Sequence, residues 1–323
     1  MTNVQDFGTT ASGTPVQRIT LAAGDLTVSL LTLGAALQGV WLKGTAHSLT
    51  IGTDDLALYE GAFRHHGTLI GPVVNRITGA SASIDGTTHH FTPDPGDDLI
   101  LHSGPAGTHR KVWELADHSA SHATLTLILP EGEGGFPGNR HVTATYRVTE
   151  PATLRLKMAV TTDKATLINF ANHSYWNLDG TADWFGHTLS LAADRYLPAT
   201  AVFTPTGQIK DLAGSAYDFR RPRQVAKGTP ALDTNFCLAG ARRPLTDVLT
   251  LTGQSGRSLT LATTEPGLQL YDGRAAGAPG HPDYQGLAIE AQLWPDAPGH
   301  AEFPSITLAP GQVYAPTTEW RFG

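Results

Sequence analysis

The sequence predicts an all-β protein, a large antiparallel β-sandwich. Three observations carry that expectation: short segments in which apolar residues alternate with period two, turn residues between them, and almost no helical period. The clearest pair is 142–148 and 154–160. These segments alternate on either side of the breaker 149–153, which contains Pro151, and read as a hairpin with one buried face. Residues 248–251 and 258–262, joined by a stretch with Gly253 and Gly256, read as a second hairpin. Residues 124–129 and 187–191 are further strand candidates, and only 54–59 reads as a short helical turn. Asp85-Gly86, Pro137-Gly138-Asn139, Asp179-Gly180 and Asp272-Gly273 supply turn chemistry. No repeat or linker divides the chain, so residues 1–323 are expected to form one domain.

Composition narrows the function classes. Hydrophobic residues make up 40% of the 323, enough for a sizeable core, and charged residues only 16%. The net charge is −7, with no basic run beyond Arg220, Arg221 and Arg223. Nucleic acid and anionic membranes are therefore poor partners. Cys237 is the sole cysteine, which excludes an internal disulfide and a cysteine-based metal site. Residues 1–13 are polar, and no apolar run approaches the ~18 residues of a membrane span. The expectation is a cytoplasmic protein, monomer or homodimer.

Five segments set unusual polar residues beside glycines and aromatics. Asn75-Arg76 offers several hydrogen-bond donors in a fixed arrangement. His102 follows an apolar strand and precedes a turn. In 172–178, His173 is crowded by Asn172, Ser174, Tyr175 and Trp176, the kind of aromatic that packs on a sugar ring. Asp233 precedes Phe236 in a segment read as a loop. Glu290 stands on an apolar strand, where a carboxylate is costly unless paired or functional. It is the strongest single-residue signal in the chain.

Taken in order, these segments resemble the aldose 1-epimerase (galactose mutarotase) family. The matching pieces are Asn75-Arg76-Ile77, Leu101-His102, 133–138, 172–178, Asp233 with Phe236, 264–271, Glu290-Ala291-Gln292, Pro295-Asp296-Ala297, and Pro310-Gly311 with Tyr314. They run from about Gly34-Ala35 to the C-terminus. The resemblance implies a galactose mutarotase-like supersandwich with the sugar in a cleft. It implies an isomerase that exchanges the α and β anomers of a free aldose by acid–base ring opening and reclosure at C1, in carbohydrate and hexose metabolism. It assigns His173 as general acid and Glu290 as general base. It places Asn75, Arg76, His102, Tyr175, Asp233 and Gln269 where they bind the sugar or orient the pair. Pro72, Ser103 and Thr234 depart from the family pattern, which bears on substrate preference more than on the reaction.

The reaction needs a base for the C1 hydroxyl and an acid for the ring oxygen, and neither a metal nor a cofactor is expected. The implied ligand is a neutral monosaccharide. Three rival readings compete with this one. A metal enzyme would use the pairs His65-His66 or His89-His90, but adjacent strand residues point to opposite faces. A hexose-phosphate 1-epimerase would need cations at the cleft, for which Arg220, Arg221 and Arg223 are candidates. A non-catalytic carbohydrate-binding sandwich would need no acid–base pair.

Overall fold

In the computed structural model, which describes residues 3–228 and 230–323, strands dominate. The largest sheet has nine antiparallel strands. Its order is Glu114–His118, His122–Leu129, Arg140–Thr149, Thr153–Thr162, Thr317–Phe322, Ser258–Thr263, Thr246–Thr252, Thr188–Leu191 and Arg223–Gln224. Both expected hairpins are there, with Arg140–Thr149 registered on Thr153–Thr162 and Thr246–Thr252 on Ser258–Thr263. Their alternation is literal: Val142, Ala144, Tyr146 and Val148 are buried, while His141 and Arg147 are exposed.

A six-stranded sheet faces this one in the order Tyr175–Trp176, Leu287–Gln292, Gly267–Tyr271, Asp233–Cys237, Arg195–Leu197 and Lys210–Asp211. Four N-terminal strands between Val4 and Leu42 make a third sheet. One apolar cluster joins all three, holding Leu21 and Val28, Leu154 and Trp320, and Leu268 and Ile289. Trp176 of the six-stranded sheet meets Trp320 and Phe322 of the nine-stranded sheet at ring separations of 6.2 and 5.6 Å. This is the all-β sandwich read from the sequence, each sheet burying its apolar face against another.

The short helical turn is also present, at Leu56–Glu60. It starts later than the pattern suggested because Asp55 is its N-cap, accepting from the amide of Ala57 at 2.9 Å. Among the described residues no helix is long and apolar enough to cross a membrane.

Candidate active site

The six-stranded sheet turns Phe236, Leu268, Leu270 and Ile289 to the core. Its alternate residues face the other way. Register aligns Asn235, Gln269 and Glu290 in one cross-strand row, and Asp233, Tyr271, Ala288 and Tyr175 in the next. Side chains two residues apart on a strand share a face, so these rows form one polar surface. Asp233 therefore opens a strand, and does not sit in the loop that the sequence suggested.

Over this surface lie connections that bring in the histidines. The Arg76–Ile77 and Ile100–Leu101 strands pair, placing Arg76 opposite Leu101 and His102 just beyond. Asn75 and His102 are both held at positive φ, 65° and 53°. The His102 amide donates to the Asn75 carbonyl at 2.8 Å, and the Asn75 amide donates to Nδ1 of His102 at 3.1 Å. A ring nitrogen that accepts carries no proton, so the His102 proton sits on Nε2. Ser103, one of the departures from the family pattern, sits at φ 65° and clamps Val73 with its hydroxyl, accepting from the amide and donating to the carbonyl.

His173 is fixed by its backbone. Its amide donates to the Thr68 carbonyl at 3.0 Å, and its carbonyl accepts from the Gly67 amide at 3.0 Å. Gly67 is required there: it has φ 71°, and a Cβ would fall 2.1 Å from the Leu37 carbonyl oxygen. Asn172 donates to the Gly67 carbonyl at 2.7 Å and accepts from the Ser174 hydroxyl at 2.6 Å. The polar residues flanking His173 are thus its mounting.

These elements enclose a cavity of about 480 Å³. It is lined by Asn75, Arg76, His102, His173, Tyr175, Asp233 and Glu290, seven of the eight residues singled out from the sequence. The eighth, Gln269, stands behind Asp233 and donates to its Oδ1 at 2.6 Å. His173 Nε2 lies 3.5 Å from Glu290 Oε1, and both side chains are almost wholly buried. Glu290 Oε2 and His173 Nδ1 are buried with no protein partner. Such groups cost free energy unless something completes them.

Burial dominates the electrostatics. It lowers His173 to about 4 and raises Glu290 well above the carboxylate range. The negative Asp233 adds to the rise in Glu290, and Arg76 opposes it. Asp233 is itself raised by burial and drawn back by Arg76, whose Nη2 lies 3.7 Å away, and by Gln269. Burial thus disfavours the charged form of both members of the pair. Tyr175 packs beside them, 5.0 Å from the His173 ring and stacked on His66 at 4.2 Å.

The cavity also holds residues that the sequence did not assign to the sugar site: Arg64, His65, His66, Phe203, Tyr271 and Arg274. The expectation that His65 and His66 diverge assumed a strand. They lie instead in a run of turns, and both line this cavity. His66 stacks on Phe63 at 3.7 Å, while His65 packs against His102 and His109 at 4.7 and 4.9 Å. Among the described residues no three His, Cys, Asp or Glu side chains are disposed to hold a metal ion. Arg220, Arg221 and Arg223, the candidate phosphate ligands, do not reach the cavity. Arg220 is paired with Asp218 and Asp194, and Arg223 lies over Phe219. Arg274 is held by Asp272 through two hydrogen bonds.

Comparison with known proteins agrees with this architecture. The family model described as aldose 1-epimerase matches residues 17–321, starting before the first motif noticed in the sequence. The galactose mutarotase of Rattus norvegicus is 31% identical, over 97% of this chain and 95% of its own. The aldose 1-epimerase of Escherichia coli K12 is 31% identical, over 96% of each chain. A solved structure of an aldose epimerase homologue from C. elegans superposes with a TM-score of 0.88, at 28% identity, covering 95% of this chain and 98% of that one. The chain belongs to the aldose 1-epimerase family.

Proposed function

We propose that His173 and Glu290 are the acid–base pair with which this enzyme interconverts the α and β anomers of a free aldose. The observation that carries the assignment is the unpartnered Oε2 of Glu290, buried at the cavity wall within a side chain that also approaches His173. A sugar hydroxyl donating to that oxygen completes its hydrogen bonding and favours the carboxylate, as hydrogen bonds to a charged form do.

The reaction then runs on one shared proton. Glu290 takes the proton of the C1 hydroxyl, His173 delivers one to the ring oxygen, and the C1–O5 bond breaks. Rotation about C1–C2 presents the other face of the aldehyde. On closure His173 withdraws the proton from the C5 hydroxyl, and Glu290 returns one to the carbonyl oxygen. Each positioned group contributes about 10²- to 10⁴-fold. His102, whose proton faces away from Asn75, supplies a neutral N–H donor, and Arg76 a charged one, to oxygens on which negative charge develops. Asp233, steadied by Gln269 and Arg76, accepts from ring hydroxyls. Tyr175 gives the apolar face of the ring an aromatic neighbour.

The substrate in this reading is a small neutral hexose, in keeping with relatives named for galactose. The single apolar cluster through all three large sheets supports one domain. The buried, unpaired Cys237 fits a reducing, cytoplasmic setting. Polarimetry on freshly dissolved α-glucose and α-galactose tests the reading. The wild type accelerates the approach to equilibrium, whereas Glu290→Gln, run beside it, loses at least about 100-fold. A Glu290→Gln enzyme with near-wild-type rate removes Glu290 from the mechanism.

A further inference from the structure

Phe203 has no assigned role, and the sequence offers no motif around it. It is 42% exposed, a large aromatic left in solvent, yet it lines the same cavity as His173 and Glu290. Its backbone is at φ 61°, the left-handed region that residues with a Cβ rarely occupy. The turn that holds it there is closed from several sides. Ala199 bridges Pro205, the Thr200 amide donates to the Thr204 carbonyl at 2.8 Å, and the Phe203 amide donates to the Thr200 carbonyl at 3.1 Å. The Thr200 and Thr204 hydroxyls are 2.9 Å apart. The turn follows Arg195–Leu197, a strand registered on Asp233–Cys237, so it is anchored beside the strand that carries Asp233. The ring lies with the Arg76 guanidinium 5.4 Å from its centre.

We propose that Phe203 is a sugar-contacting residue, the aromatic wall of the cleft mouth on which the apolar C–H face of the pyranose rests. The inference builds on the aldose reading above. A strained turn and an exposed ring are both unfavourable without a ligand, and both persist here because the surrounding hydrogen bonds over-determine them. A sugar ring has one polar rim and two faces of C–H bonds, and an aromatic face removes one of these from water while the rim stays free for Arg76 and Asp233. Arg76, lying against the ring, ties the aromatic wall to the hydroxyl-binding groups.

The decisive variant is Phe203→Gly, which deletes the ring and tolerates the positive φ. Phe203→Tyr keeps an aromatic face. For both galactose and glucose, Phe203→Gly raises KM about 3- to 10-fold with kcat within about twofold, while Phe203→Tyr stays within twofold in both constants. The Phe203→Gly effect persists in an Arg76→Lys background, since the contact is with the sugar and not through Arg76. An unchanged KM in Phe203→Gly overturns the proposal, as does an effect that vanishes in the Arg76→Lys background. Titrating galactose into both proteins by NMR separates this from the reaction itself. A wild type that binds galactose with the predicted Phe203 dependence but does not accelerate anomer exchange sinks the catalytic reading and leaves Phe203 in place.

Discussion

His173 Nε2 and Glu290 Oε1 stand 3.5 Å apart with both side chains almost wholly buried, and burial lowers the proton affinity of the histidine while raising that of the glutamate. In the proposed mechanism the doubly protonated pair has no base and the doubly deprotonated pair has no acid, so only the singly protonated pair turns over. The pH profile of kcat/KM is therefore bell-shaped, and its two limbs belong to the pair and not to either residue. Replacing either member removes one limb: His173→Asn abolishes the alkaline fall along with most of the rate. Both limbs persisting in His173→Asn contradicts the assignment.

His102 gives a spectroscopic prediction. Its Nδ1 accepts from the Asn75 amide, and burial, with the positive field of Arg76 and Arg64, holds its pKa well below the usual range. The ring stays neutral with its proton on Nε2. Its NMR resonances should not titrate between about pH 5 and 8, the range in which an ordinary histidine changes charge. His102→Leu deletes a donor and leaves the Asn75 amide without its acceptor. We expect kcat/KM to fall about 10- to 100-fold.

The legible and illegible parts of this site divide along a physical line. Glu290 was visible because a strand reports burial by alternation, and a carboxylate amid Leu287, Ile289 and Ala291 has few reasons to be there other than chemistry. His102 and His173 were visible because the chain leaves regular strands at them with turn chemistry attached. Arg64, His65 and His66 were not, since their placement depends on a run of turns for which no period exists. Phe203 was hidden for the same reason, because its position is set by a turn and not by its neighbours' polarity. Arg220, Arg221 and Arg223, candidates only for the hexose-phosphate rival, do not line the cleft, and Arg220 and Arg223 pair or pack locally. The sandwich itself followed from alternation and turns, but the pairing of distant strands such as Thr317–Phe322 with Ser258–Thr263 and Thr153–Thr162 is a tertiary fact with no local signal.

In the proposed mechanism Asp233 links substrate binding to proton affinity. Its charge helps raise Glu290, and Gln269 and Arg76 hold it in place. Asp233→Asn keeps the shape and removes the charge. With a nearby negative charge gone, protons leave the His173–Glu290 pair more readily, so both limbs of the pH profile move to lower pH. KM rises as well, because a charged acceptor for sugar hydroxyls becomes a neutral one. A raised KM with an unmoved profile restricts Asp233 to binding.

Acid stability provides a test independent of the sugar. His109 is buried, neither ring nitrogen has a protein partner, and burial with the charges of Arg110 and Arg64 lowers it to about 3. In the unfolded chain it binds a proton near pH 6.5. The unfolded state therefore holds the extra proton throughout the window from about 6.5 down to 3. The sign follows: stability contributed by a neutral buried histidine is present above its unfolded pKa and lost as pH falls through that window. Each such group steepens the fall by up to about 1.4 kcal/mol per pH unit. His173, lowered to about 4, acts in the same direction over a shorter range. Urea unfolding at pH 7 and pH 5 should show a large loss in the wild type. His109→Phe, which keeps an aromatic ring and cannot take a proton, should lose about 2 kcal/mol less between those two pH values. Equal losses in the two proteins mean that His109 is protonated in the folded state, and that its ring has found a partner in solution.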